Sequence, residues 1–190
     1  ALTTAQIDSL STKQINTLTA SQVSALTSAG NTGEVAKLTT AQIQAISASA
    51  VTGLTSDQIK VMDSAQIQSL TTAQVKVLST DQMTALTSVQ MNKLTSQQMS
   101  VLTASQFTAL VANTAEMKTL STDQIRGLGN SVLTSIASTN LQVMTTDQIQ
   151  ALSTSQVKAL TAAQITNLTT GQVKALTTAQ VSVLSATQIA

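Results

Sequence analysis

The sequence predicts an all-α fold: a repeat solenoid of very short capped helices, one in each eight-residue unit. Three observations predict it. An octad motif recurs almost end to end, from LTTAQIDS and LSTKQINT through LTTAQVSV to LSATQIA. Self-similarity at a short fixed period decides architecture before any local preference does. Each octad also carries its own helix-start signature. Finally, eight residues advance an ideal helix by about 800°, so an apolar stripe would drift by about 80° per repeat. One long helix would therefore point its apolar residues everywhere, and the chain must instead turn in each unit.

The helix-start signature is specific. The chain divides into 23 units, of which 21 are regular octads. The first position is always Leu, Ile or Met, and the sixth is apolar in all 21. The second is Ser, Thr or Asp in 19 of them, with Gly129 and Ala137 the exceptions. The fifth is Gln in 18, with Ala50, Val132 and Asn140 the exceptions. Ser/Thr-x-x-Gln is a capping box: the hydroxyl accepts from the amide three residues on, and the Gln side chain returns to the cap's own amide. The apolar residues on either side form a hydrophobic staple. A β-solenoid is the alternative, since Thr, Ile and Val suit strands. Against it, the first and sixth positions have opposite parity, so a flat strand cannot bury both. The regular unit also lacks the Gly or Asn of tight β-turns.

Along the chain, the first octad pairs Leu2 with Ile7 around Thr3…Gln6, and two more regular octads follow. Residues 26–37 form a longer unit with four extra residues, in which Asn31…Glu34 followed by Val35 replaces the box. Regular octads resume at Leu38, and residues 46–61 are degenerate, with Gly53 a natural place for a kink. Residues 110–119 form a second longer unit, with Asn113…Glu116 followed by Met117. Residues 128–143 are degenerate in parallel, with Gly127 just before them and Gly129 within them. The segments from Asn31 and from Asn113 align without gaps, giving a higher-order period of 82 residues (31–112 and 113–190) within one continuous array over 1–190. Charges sort by position. Asp57, Asp81, Asp123 and Asp147 stand at the fourth place, and Lys60, Lys76, Arg126, Lys158 and Lys174 at the seventh. The helix dipole favours that order; Asp8 and Lys13 break it.

Composition bounds the function. The 190 residues include no His, Cys, Trp, Tyr or Pro, and Phe107 is the single aromatic. The commonest bases, nucleophiles and transition-metal ligands are thereby missing, and no catalytic, cofactor or metal residue can be named. The expected protein is not an enzyme and needs no cofactor. Charged residues are 9% of the chain and net charge is +1, which gives no strong pull toward nucleic acid or an acidic membrane. No apolar run approaches the roughly 20 residues that span a bilayer. Met83, Met91, Met99 and Phe107 hold the sixth position of four successive units. That rank is either a soft docking surface or the ordinary core slot, and its place in the octad favours the core. Regular Ser and Thr offer a possible ligand face for glycan, ice or protein beside their capping role.

The runs LTTAQIQA, LSTSQVKAL and LTTAQVSVL resemble the octad arrays of very large bacterial surface or secreted proteins, often labelled haem-utilisation or adhesion-like. The resemblance implies an extracellular, elongated, self-associating or spacer role. Its haem label implies iron ligands, of which this chain offers only Met, so haem is not expected. The reading is a structural rod or filament segment of a bacterial appendage or giant adhesin at the cell surface, whose partner is itself, end to end or laterally. The alternative is a binding module presenting Thr/Gln ranks on a solenoid face. The first unit begins at once and the last stops one residue short, so the chain is expected to be a segment of a longer array. Its two ends are expected to expose Leu2 and Ile7, and Leu184 and Ile189.

Overall fold

The computed structural model of the protein describes residues 3–26, 33–112 and 114–189, and among them every regular element is a short α-helix. The β-solenoid alternative therefore falls. The chain divides into two compact units, Ala1–Leu94 and Thr95–Ala190. The first holds α1 (Thr4–Asp8), α2 (Thr12–Asn16), α3 (Ala20–Ser24), α4 (Glu34–Lys37), α5 (Thr40–Ala45), α6 (Ala48–Val51), α7 (Ser56–Val61), α8 (Ser64–Ser69), α9 (Thr72–Val77), α10 (Thr80–Thr84) and α11 (Ser88–Met91). The second holds α12 (Ser96–Ser100), α13 (Ala104–Leu110), α14 (Thr114–Thr119), α15 (Thr122–Gly127), α16 (Asn130–Ser135), α17 (Ser138–Gln142), α18 (Thr146–Ala151), α19 (Thr154–Ala159), α20 (Ala162–Thr166), α21 (Thr170–Ala175), α22 (Thr178–Ser182) and α23 (Ala186–Ile189).

One octad shows how each turn is made. In α9 the cap Thr71 is extended, and its hydroxyl accepts from Gln74 N–H at 3.2 Å. The Gln74 Oε1 accepts from Thr71 N–H at 2.7 Å. The helix closes when Leu78 N–H donates to Val75 C=O at 3.2 Å. Leu78 (φ −59°, ψ 138°) and Ser79 (φ −74°, ψ 164°) are then both extended. Two extended residues therefore suffice to re-aim the chain for the next helix. Any L-residue adopts those angles, which explains why the regular unit needs neither Gly nor Pro.

The box forms at every regular unit that carries the fifth-position Gln, down to Ser185 and Gln188 in the last. The units without it behave as their residues dictate. Ser47 caps α6 through its hydroxyl alone, and Gly129 and Ala137 give no side-chain cap to α16 and α17. Asp57, Asp81, Asp123 and Asp147 fall in first turns and Lys60, Lys76, Arg126, Lys158 and Lys174 in last turns, whereas Asp8 is the last residue of α1. Asp57–Lys60 and Asp123–Arg126 additionally pair across one turn at 3.5 and 3.0 Å.

In both units the principal packing partners are helices three apart. In the first, α2 packs on α5, α5 on α8 and α8 on α11; in the second, α12 packs on α15, α15 on α18 and α18 on α21. This is a solenoid, with the core on the inside of each coil. First- and sixth-position side chains supply that core: Leu70, Val75, Leu78 and Ile149 are all buried.

The first long unit departs from the expected box, and the second keeps its Glu at the expected place. Asn31 lies outside the described residues. The helix there starts at Glu34 directly after Gly33, so Glu34 is its first residue and not its third. Asn113 also lies outside them, and α14 starts at Thr114, which makes Glu116 its third residue. The first residue of that unit, Leu110, has joined α13, the longest helix, and Val111 beside it is buried.

Gly53 and Gly127 serve close approach. A Cβ on Gly53 would stand 2.0 Å from the Ala20 carbonyl oxygen, and one on Gly127 would stand 2.3 Å from that of Ser96. Backbone meets backbone there between stacked helices. A Cβ on Gly129 would meet nothing nearer than 3.9 Å, an ordinary contact.

Candidate functional site: a glutamine ladder between unlike coil faces

The fifth-position Gln performs a second task that the capping box does not explain. Its Oε1 faces its own cap, and its Nε2 leaves the octad and donates to the coil before. Gln74 Nε2 donates to the carbonyls of Ile43 and Ile46, both at 2.7 Å. Gln90 does the same to Ile59 and Met62 at 2.7 and 2.6 Å. In the second unit Gln172 reaches Leu141 and Met144, and Gln188 reaches Val157 and Leu160. Where the unit four back is a regular octad, the acceptors include its sixth residue and the first residue of the next unit; where it is a long unit, Val35 and Met117 take the sixth residue's place.

The pattern fixes the pitch. A helix packs on the helix three octads earlier, and its amide bonds the junction between the third and fourth. One coil therefore takes between three and four octads. The separations are 31 and 28 residues along most of the ladder. For Gln42 to Ile7 and Leu10 they are 35 and 32. The difference is the four extra residues of the first long unit. The ladder ignores them, so they leave the octad register intact.

This geometry selects Gln over Glu. A carboxylate would serve the capping box equally well but has no proton for two facing carbonyls. The ladder amides are buried, and a buried polar group is costly unless fully bonded. Among the described residues no buried side-chain nitrogen or oxygen lacks a partner. The sequence did hold a signal: no regular octad uses Glu at the fifth position, although a capping box admits it. The two Glu residues at that place, Glu34 and Glu116, belong to the long units.

The burial corrects two expectations. The Gln half of a Thr/Gln ligand rank is not presented to solvent along the ladder, where Gln58, Gln74 and Gln180 are 1–2% exposed. Third-position hydroxyls such as Thr72, Thr80, Thr146 and Thr154 are exposed. Nor do the two ends of the array expose the same positions. Leu2 lies outside the described residues, but Ile7 is only 1% exposed, and Ile15 and Val23 are fully buried. In the last coil the equivalent Val173, Val181 and Ile189 are 48, 47 and 67% exposed, and Leu184 is half-buried. The reason is directional: sixth-position side chains point toward the following coil, so a first coil is covered by its successor and a last coil is not. Met83, Met91, Met99 and Phe107 are buried in the same slot and form core, not a docking surface.

Among the described residues no three His, Cys, Asp or Glu side chains gather to hold a metal ion, and no helix is long and apolar enough to cross a membrane. The sequence model of the ALTTAQ repeat family matches residues 59–88 and 133–170. Most octads of these two stretches are of the ALTTAQ type. They include the ladder residues Gln66, Gln74, Gln82, Gln148, Gln156 and Gln164, so in this chain the Gln of these octads is the residue that joins coil to coil. No curated protein and no solved structure matches the chain.

Proposed function

We propose that this chain is a structural protein, a rod or filament segment of a bacterial extracellular appendage or giant adhesin, assembled by repeat stacking. One observation supports it most. The same amide reaches the same pair of carbonyls in coil after coil, whichever octad supplies them, so coils can follow one another by one rule. Repeat arrays of this kind are quasi-one-dimensional, each repeat stabilised by its neighbours. The similarity to large bacterial surface proteins supports the location, and ALTTAQ-type octads support the repeat role. Electron microscopy of the purified chain tests the rod: elongated uniform particles are expected, and compact globular ones would overturn it. Antibody labelling of intact source cells, before and after external protease, tests the location.

A second reading has one observation behind it, the exposed third-position hydroxyls. A monodisperse short particle that bound immobilised glycans or inhibited ice recrystallisation would favour a binding module.

A further inference from the structure

At one place in the array two successive octads lack the ladder Gln. In α16 and α17 the fifth position is Val132 and Asn140. By the ladder's spacing their acceptors lie at α12 and α13, namely Met99 with Leu102 and Phe107 with Leu110. Val132 has no amide, and Asn140, one methylene shorter than Gln, makes no ladder bond among the described residues. Yet both helices are held from the other side. Gln164 donates to Leu133 and Ile136 at 2.8 and 3.0 Å, and Gln172 to Leu141 and Met144 at 2.7 and 2.9 Å. The next octads are bonded back again, Gln148 to Met117 and Leu120 and Gln156 to Ile125 and Leu128. So α16 and α17 are bonded forward and not back.

Two further features meet at this seam. Gly129 and Ala137 leave both helices without a side-chain cap. The sixth-position residues of α12 and α13, which point toward the following coil, are Met99 and Phe107, both buried, and α13 packs on α16. Met is unbranched and adapts to a changing neighbour. The earlier copy of the 82-residue period has a narrower gap. There Val132 corresponds to Ala50 and Asn140 to Gln58. Ser47 caps the helix of Ala50, and Gln58 bonds back to Val23 at 2.9 Å and to Leu26.

We infer that the seam between α12–α13 and α16–α17 is a built-in release point, where neighbouring coils of the second unit part first. α16 and α17 move off with the coil that follows, to which Gln164 and Gln172 bind them, and α14 and α15 tether the parted faces. The missing amides remove the bonds that resist separation, and the uncapped helix starts loosen the two helices themselves. Stability in a repeat array is close to a sum of repeat and interface terms, and local opening begins where those terms are smallest. In a rod this seam takes up tension first; that last step rests on the stacked-repeat reading above.

Hydrogen exchange of the full chain in sub-denaturing urea tests it. Amides of residues 130–144 should exchange at least about tenfold faster than those of residues 146–160, with one shared urea dependence. Val132→Gln/Asn140→Gln supplies the two missing amides and should slow the first segment to the rate of the second. Gly129→Ser/Ala137→Thr supplies caps alone and should close only part of the difference. Equal exchange of the two segments in the wild type, or a difference that the cap variant removes and the ladder variant leaves, would overturn the inference. Asn140→Gln alone keeps the buried Val132 and serves where the double variant does not fold: partial slowing is expected, and none would equally overturn it. Pulling single chains by their ends checks the step to tension. An early low-force extension is expected for the wild type and not for the ladder variant. Its absence, with the exchange result intact, removes the tension role alone. A compact particle by electron microscopy removes the rod reading and leaves the release point standing.

Discussion

Gln74 donates its amide to the carbonyl of Ile43, 31 residues earlier, at 2.7 Å, while its oxygen caps its own helix. One side chain thus ends one problem, the unpaired amides of a helix start, and begins another bond, the one that holds a coil to its predecessor. A helix of four to seven residues is not stable by itself in water. The joining of local cap to coil contact is what makes such helices usable.

Substituting the ladder residue separates these two tasks. Gln90→Glu keeps the cap acceptor but strips the Met62 carbonyl of its amide donor, leaves the Ile59 carbonyl with the Met62 N–H alone, and buries a charge, which should cost about 3 kcal/mol or more. Gln22→Glu, whose amide has no partner among the described residues, should cost within about 0.5 kcal/mol. Denaturant melts of the two variants check this. The Gln90→Glu deficit should narrow on acidification. A carboxyl held against carbonyls takes up a proton more readily folded than unfolded, so its contribution to stability falls as pH rises.

Equivalent positions in different coils should differ in cost. Ile149 is fully buried, and Ile149→Ala should destabilise by about 2–5 kcal/mol. Val181, at the same octad position, is 47% exposed, and Val181→Ala should cost about 0.5 kcal/mol or less. Thr71→Ala removes a cap and should fall between them, at about 0.5–2 kcal/mol. Equal melting of Ile149→Ala and Val181→Ala would contradict a core built by coil-on-coil cover.

The glycines should split in the same way. Gly53→Ala drives a methyl into the Ala20 backbone and should destabilise by about 1–3 kcal/mol. The nearest atom to a Cβ on Gly171 is the Thr169 hydroxyl at 3.9 Å, and this glycine lies within α21. Gly171→Ala should therefore be neutral or stabilise by up to about 1 kcal/mol. Thermal melting of both variants is sufficient.

Deleting the whole octad Leu152–Ala159 should be tolerated far better than deleting Ser155 alone. Removing eight residues hands each later Gln the equivalent carbonyls one unit earlier. Removing one shifts the staple and cap of α19 out of phase with each other and with the coils on either side. Similar melting temperatures for the two deletions would rule out an octad-registered ladder.

The local half of this fold was legible in the sequence. Thr71…Gln74 specifies a capped helix, Leu70 and Val75 specify its buried side, and the octad period forbids a continuous helix; all of these depend on residues within one unit. Glu34 at a helix start, with Gly33 before it, was not legible, because Asn-x-x-Glu reads as a box without showing where the chain enters. The candidate site was half visible. The Gln was singled out for its oxygen and missed for its nitrogen, because the partner carbonyls of Ile43 and Ile46 are chosen by coil pitch and not by any nearby residue.

What the sequence by itself determined is the unit: where each helix starts, which residues it buries, and that the unit repeats. Only the tertiary structure decided how many units make a coil, that Ile7 is covered while Ile189 is not, and that each Gln amide reaches the coil before it. The physical reason is range. Caps and staples act over at most five residues along the chain, whereas pitch and polarity come from bonds about 30 residues long, between backbone groups that every residue possesses and that no pattern of side chains marks.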